Sequence, residues 1–260
     1  MQLVANLTML FHDLPMPARI GAAAAAGFEV VEIQFPYEAE LTDLVSAVEE
    51  SGVEMCLINV PAGDREAGEA GLTGLPGREA DYRDAVETCL TYARALGVTR
   101  INSLAGRPQA GQFAEATATL VENLRYASDR FAEIGATVLV EPVNPTDVPG
   151  FLFNALDPAL EAVAKVDRDN VKVLFDFYHM AQTEPSLSEA VKRAGSLIGH
   201  VQFADAPGRH EPGSGEVDFE SGLKALKEIG YGGRVSAEYW PSGATADSLG
   251  WMPDFKNWMA

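Results

Sequence analysis

Only two of the 260 residues are cysteine, Cys56 in an apolar run and Cys89 in a helical pattern, and neither has a neighbour at a metal-ligand spacing. A disulfide framework and a thiolate metal site thus have no candidates, and two buried, inert thiols in a reducing compartment are expected. Histidine is scarce as well: with four in the chain, no Ser-His-Asp or reactive-Cys arrangement competes. Basic residues number 19 against 38 acidic ones, a formal net charge of −19. Nucleic-acid binding needs clustered Lys and Arg, so no nucleic-acid partner is expected. The charge itself serves solubility, and an anionic substrate would have to be met by local cations such as a metal or Arg209. No apolar run approaches the roughly 18 residues of a membrane span. The segment Met1–Phe11 lacks a basic n-region, so neither a membrane partner nor a signal peptide is expected, and the location predicted is cytoplasmic. Finally, Leu7–Met16 contains no glycine, which removes the G-x-G-x-x-G turn that a dinucleotide fold places after its first strand.

What is present is a regular alternation. The chain is 47% hydrophobic and 22% charged, enough apolar residues for a sizeable core. Short β-rich runs are predicted at Leu3–Asn6, Val30–Gln34, Met55–Asn59, Arg100–Ser103, Thr137–Glu141, Val171–Asp176, Ile198–Gln202 and Arg234–Glu238. Helical patterns separate them at Pro17–Ala26, Leu41–Ser51, Asp81–Leu96, Phe113–Ile134, Pro158–Val166, Leu187–Ala194 and Phe219–Ile229, with a last helix inside Ala246–Trp258. Glycines 27, 52, 97, 135, 195 and 230 each follow a helical pattern, where a left-handed cap is wanted. Asp157-Pro158 and Asp218 read as helix starts. Eight strand-helix units in about 250 residues predict an α/β fold, a single (β/α)8 TIM barrel over residues 1–260. The glycine-rich connection Val60–Ala80 and the connection Ala204–Val217 leave C-terminal strand ends and are predicted to overhang the barrel mouth.

Four oxygen-bearing residues close four successive strands: Glu141, Asp176, Gln202 and Glu238, spaced by 35, 26 and 36 residues. In a parallel barrel all four converge on one mouth. Three carboxylates placed together repel unless a cation sits among them, and a neutral amide oxygen beside them suits a hard ion such as Mg2+ or Mn2+. Asp176 and His179 are three apart, close enough for a turn after the strand to bring both to one site. Arg209 lies in a Pro/Gly-framed loop with His210 and Glu211, aimed at an anionic or hydroxylated substrate. A metal that chelates an adjacent carbonyl and hydroxyl lowers the pKa of the intervening C–H. Two glutamates, Glu141 and Glu238, can then remove and return a proton through an enediolate, the chemistry of aldose–ketose isomerisation and of 3-epimerisation.

The motifs Asn59-Val-Pro-Ala-Gly-Asp, Val140-Glu-Pro-Val-Asn, Asp176-Phe-Tyr-His-Met, Pro207-Gly-Arg-His-Glu-Pro-Gly-Ser-Gly-Glu and Glu238-Tyr, in this order, resemble the hydroxypyruvate isomerase family. That family lies among xylose isomerase-like barrels that also include tagatose and psicose 3-epimerases. The resemblance implies metal ligands at Glu141, Asp176, Gln202 and Glu238, a proton-transfer pair at Glu141 and Glu238, and substrate contacts at His179 and Arg209. Asn59 and Trp240 complete the substrate-binding candidates. It implies interconversion of hydroxypyruvate and tartronate semialdehyde, with a small oxo acid or ketose as the only expected partner and a homo-oligomer compatible with the chain. One departure bears on substrate. Family members often read Glu-Tyr-Lys-Pro where this chain has Glu238-Tyr-Trp240-Pro, which exchanges a cation for an apolar wall with one N–H donor. A ketose 3-epimerase or a 2-oxotetronate-type isomerase is the alternative with the same chemistry. More remote are a phosphodiesterase on the same barrel and a non-catalytic sugar-binding module.

Overall fold

A computed structural model describes residues 1–260. Eight parallel strands, β1 (Gln2–Asn6), β2 (Val30–Glu32), β3 (Glu54–Asn59), β4 (Arg100–Asn102), β5 (Thr137–Val140), β6 (Val171–Asp176), β7 (Ile198–Phe203) and β8 (Arg234–Ala237), pair in sequence order. β8 closes on β1, with Val4 opposite Ser236, so no edge is left unpaired. The (β/α)8 architecture expected from the alternation is therefore the one observed.

The helices are α1 (Met16–Ala25), α2 (Leu41–Ser51), α3 (Glu79–Leu96), α4 (Phe113–Ala132), α5 (Leu156–Val166), α6 (Phe177–Thr183), α7 (Leu187–Ala194), α8 (Phe219–Glu228) and α9 (Met252–Met259). They form by ordinary amphipathic logic. In α4, Ala116, Leu120, Leu124, Ala127 and Phe131 recur every three or four residues and are buried against the sheet. Gly52 and Gly97 end α2 and α3 in left-handed conformation (φ 70° and 68°), as expected.

Most differences from the expected pattern are shifts of an element's end by one or two residues; three have a physical reason. β2 stops at Glu32, two residues early, because its register with β3 shifts between Val31 and Glu32. Asp157 sits in the first turn of α5, whose N-cap is Ala155, so its carboxylate faces the helix dipole without capping it, whereas Asp218 does cap α8 through Ser221 N. The segment after β6, read as a turn, is a helix, α6, capped by Asp176 itself.

The sheet has two buried faces. Its outer face packs with the helices into one large apolar cluster that includes Val31, Val138, Val173, Phe175, Val201 and Phe203. Inside the barrel lies a separate small cluster of Val4, Val30, Cys56, Leu57, Leu139 and Leu174. One inward step further along the strands, the side chains turn polar: Asn6, Glu32, Glu141, Asp176 and Gln202, each at most 5% exposed.

Candidate active site

β5 ends at Val140, and Pro142, lacking an N–H, keeps the ladder from continuing past Glu141. Glu141 Oε2 accepts a hydrogen bond from Asn102 Nδ2 of β4 at 2.8 Å, and Oε1 lies 3.6 Å from His179 Nε2. Asp176 ends β6 and caps α6, its Oδ1 accepting from Tyr178 N at 2.9 Å. Because α6 starts at once, His179 falls on the same face as Asp176, and Asp176 Oδ2 stands 3.5 Å from both His179 Nε2 and Arg209 Nη2. Gln202 is the register partner of Asp176 on β7. Glu238 follows β8, and its Oε1 accepts from Gln34 Nε2 and Arg209 Nη2, both at 2.7 Å.

Arg209 reaches these groups because its loop is tightly built. The buried Asp205 carboxylate accepts from Ala206 N, Val217 N and Gly213 N at 2.8–3.0 Å, folding 206–217 around itself. Arg209 takes a left-handed backbone (φ 57°) at the turn, and its guanidinium stacks 4.9 Å over the Tyr178 ring. Its loop companions face elsewhere. His210 Nδ1 donates to Trp240 O at 2.7 Å, and Glu211 accepts from Ser242 N at 3.0 Å.

Burial dominates the electrostatics. It pushes the Glu141 carboxyl up to about 7, with Asp176 adding to the rise, and pushes Asp176 up to about 6 against the pull of Arg209. Glu238 is raised well above the usual carboxylate range by burial, although Arg209 opposes the shift. Burial works against the Arg209 charge too, but Glu238, Asp176 and Glu141 outweigh it and hold the cation firmly. His179 is kept neutral by burial and by Arg209.

The tautomer of His179 is fixed from the far side. Asn144 Oδ1 accepts from Thr146 N at 3.0 Å and Asp147 N at 2.9 Å, so its Nδ2 is the end that meets His179 Nδ1 at 2.8 Å. Nδ1 therefore accepts, and Nε2 carries the proton toward Glu141 and Asp176. Asn144 was not singled out from the sequence; the signal was an Asn between Pro142 and Pro145, three residues past Glu141. Asn102, Gln34 and Glu32 were likewise missed. Glu32 and Gln34 share the two-residue period of an inward strand face, a pattern visible in Val30-Val-Glu-Ile-Gln34.

Of the eight candidates, six are brought together: Glu141, Asp176, His179, Gln202, Arg209 and Glu238. Asn59 is buried at the end of β3, in register with Asn102, and its Oδ1 has no partner; it bonds none of the six. Trp240 stands at the rim, 43% exposed, its indole edge-on to His12 with ring centres 5.6 Å apart. It is not in the carboxylate cluster.

A hard cation fits this donor set. Asp176 Oδ2, Gln202 Oε1 and Glu238 Oε2 are buried acceptors without a hydrogen bond, each on a residue whose other polar atom is anchored. One such unmet group costs about 1–3 kcal/mol, and an occupant that binds oxygen lone pairs would relieve each of them. Glu141 and Asp176 each bring a carboxylate oxygen within 4.8 Å of the other and of His179 Nε2, whose proton makes it a donor to an occupant's oxygen rather than a ligand.

A family model described as a xylose isomerase-like TIM barrel matches residues 20–255. The chain is 40% identical to the hydroxypyruvate isomerase of Escherichia coli (strain K12), over 97% of this chain and 98% of that one. It is 39% identical to a 2-oxo-tetronate isomerase of Cupriavidus necator, over 96% and 97%. Among solved structures, an AP endonuclease, family 2, from Brucella melitensis superposes with TM-score 0.95 at 35% identity over 98% of both chains. A D-allulose 3-epimerase from Methylomonas sp. superposes at 0.83 with 21% identity over 100% and 97%, a likeness of fold.

Proposed function

Since the chain belongs to the xylose isomerase-like TIM barrel family, we propose that it is a divalent-metal-dependent isomerase of a small 2-oxo acid, interconverting hydroxypyruvate and tartronate semialdehyde. The observation that carries this reading is the set of three buried acceptor oxygens, on Asp176, Gln202 and Glu238, left without partners. Glu141, Asp176, Gln202 and Glu238 are the ligands, and oxygen donors of this kind suit Mg2+ or Mn2+ over a thiophilic ion. When bound, the metal supplies Lewis acidity at the substrate's adjacent carbonyl and hydroxyl oxygens.

The rest is done by side chains. One of Glu141 and Glu238 takes a proton from the hydroxymethyl carbon, giving an enediolate. The other returns a proton to the former carbonyl carbon, and the hydroxyl proton moves to the neighbouring oxygen, so no net proton is gained or lost. Carboxyls raised by burial are stronger bases near neutral pH than solvated ones, which suits both steps. His179 offers Nε2–H to a substrate oxygen. Arg209 spends Nη2 on Glu238, and its buried Nε–H, which has no protein partner, is a donor available to the substrate. Asn59 Oδ1, also unpartnered, is available at the floor of the mouth for a substrate hydroxyl.

A four-carbon 2-oxo acid is the second reading, because the two named relatives, of different substrate, are almost equally similar. Trp240 in place of a cation widens it to an uncharged ketose. A phosphodiesterase on the same barrel would need several His ligands and a basic groove. Here His200 bonds Glu32, His12 and His210 sit at the rim, and the net charge is −19. Ligands retained at all four positions argue against a non-catalytic sugar-binding module. The setting implied is cytoplasmic, with no membrane or nucleic-acid partner.

The test is a panel of oxo acids and ketoses in D2O, with metal-stripped protein and added Mn2+. Solvent deuterium entering beside the carbonyl of hydroxypyruvate, only with metal present, is the expected result. Full activity of rigorously metal-free protein, or no exchange on any oxo acid, would overturn the reading.

A further inference from the structure

Glu32 has no ligand or proton-transfer role in the reading above, yet it is fully buried at the end of β2. Its Oε1 accepts from Asn6 Nδ2 at 2.8 Å and Gln202 Nε2 at 2.7 Å, and its Oε2 from His200 Nε2 at 2.7 Å. A primary amide has two ends of nearly the same shape and opposite function: the oxygen can accept or ligate, and the NH2 can only donate. At Gln202 that choice decides whether the site receives a lone pair or two N–H bonds. Glu32 presents only acceptors to Gln202, so it takes the NH2 end. Oε1 is thereby turned away from Glu32, where it stands buried and without a partner.

We propose that Glu32 is a positioning residue that fixes the Gln202 amide with its oxygen toward the site and so sets the affinity for a divalent cation. This rests on the metal reading of the site. The segment just past β2 continues the device: two residues on, Gln34 Nε2 anchors Glu238 Oε1 at 2.7 Å. The segment Glu32–Gln34 thus supplies no ligand and orients two of them.

A second ion among Glu32, Cys56 and His200, whose ligand atoms lie within 4.8 Å of one another, is the competing use of Glu32. Both Glu32 oxygens already accept N–H donors, His200 Nε2 is spent on Glu32, and the group lacks a fourth donor for a closed tetrahedral site. Orientation explains these bonds, and an ion would have to break them.

The test is calorimetric titration of the metal-free protein with Mn2+ alone, for wild type, Glu32→Gln, Gln202→Glu and the Glu32→Gln/Gln202→Glu double variant, with circular dichroism as the folding control. The new amide at position 32 must turn an NH2 toward one of its donors, so Glu32→Gln is expected to weaken Mn2+ binding about 10–100-fold, the range for lost outer-shell partners. The double variant restores a donor–acceptor pair between positions 32 and 202 and leaves an oxygen facing the site, though Asn6 still meets an amide; it is expected to bind Mn2+ more tightly than Glu32→Gln. A folded Glu32→Gln with wild-type affinity would overturn the proposal, as would a double variant that binds no better than Glu32→Gln. A wild type that binds no Mn2+ would instead overturn the metal reading and take this inference with it.

Discussion

The two faces of the one sheet obey opposite rules. On the outside, Val138, Val173, Phe175, Val201, Phe203 and Val235 meet the helices in one large apolar cluster. On the inside, a small apolar floor gives way at once to Asn6, Glu32, Asn102, Glu141, Asp176, His200 and Gln202, all buried. The outer face holds the barrel closed by removing apolar surface from water. The inner face spends stability: Glu141, Asp176 and Glu238 are forced above their ordinary proton affinities, and several of its oxygens lack partners. A fold tolerates that where function requires it. The two faces should therefore fail differently when mutated.

The largest effect belongs to the inner face. Glu141→Gln and Glu238→Gln are each expected to lower kcat/KM about 10²–10⁴-fold, the usual worth of a positioned acid or base, in a steady-state assay. Near-wild-type turnover in either would remove the two-carboxylate mechanism. Glu141→Gln should not lower the melting temperature much, because it removes a costly buried charge, whereas Glu238→Gln also takes an anion from the buried Arg209 and should lower it. The outer face should show the converse. Phe203→Ala, which empties a site packed against Phe219, Trp251 and Phe255, is expected to cost about 3–5 kcal/mol in denaturant unfolding. Its kcat per folded molecule should stay near wild type; a selective loss of turnover would mean the two faces are not separable.

A smaller effect is in pH. The Glu141 carboxyl is raised from 4.5 to about 7 and Asp176 from 3.8 to about 6. A raised native proton affinity favours the folded state fully below the unfolded values, and the advantage is lost as pH rises through the folded ones. The melting temperature of the metal-free protein should thus drop between about pH 4 and 7, from the unfolded values to the folded ones, and the Mn2+-loaded protein should not follow it. Parallel curves with and without Mn2+ would show that the buried carboxylates carry no such cost. The smallest effect lies at the rim. Trp240→Lys should raise kcat/KM for hydroxypyruvate relative to an uncharged ketose by a few-fold, roughly what an exposed charge pair of up to 1 kcal/mol supplies. An unchanged ratio would mean position 240 does not read the carboxylate.

The alternation of strands and helices, and the four residues at strand ends, were legible because both are local patterns: a period along the chain and a stop such as Pro142. What escaped was lateral. Glu32 meets Gln202 across 170 positions, and Gln34 meets Glu238 across 204, pairings that exist only once β8 has closed on β1. No spacing in the sequence encodes that closure register. Asn144 escaped because its role is to hold His179 in one tautomer, through an α6 helix that had read as a turn. Trp240 was correctly placed past Glu238, but its indole packs edge-on to His12 at the rim rather than among the carboxylates, since its backbone is tied outward to Arg209 O and His210.

The most direct measurement is anomalous diffraction at the manganese edge from crystals grown with Mn2+. The account predicts one strong peak per chain, within coordinating distance of Glu141, Asp176, Gln202 and Glu238 together. A peak elsewhere, or carboxyl groups of residues 141 and 238 that bind separate ions, would contradict it.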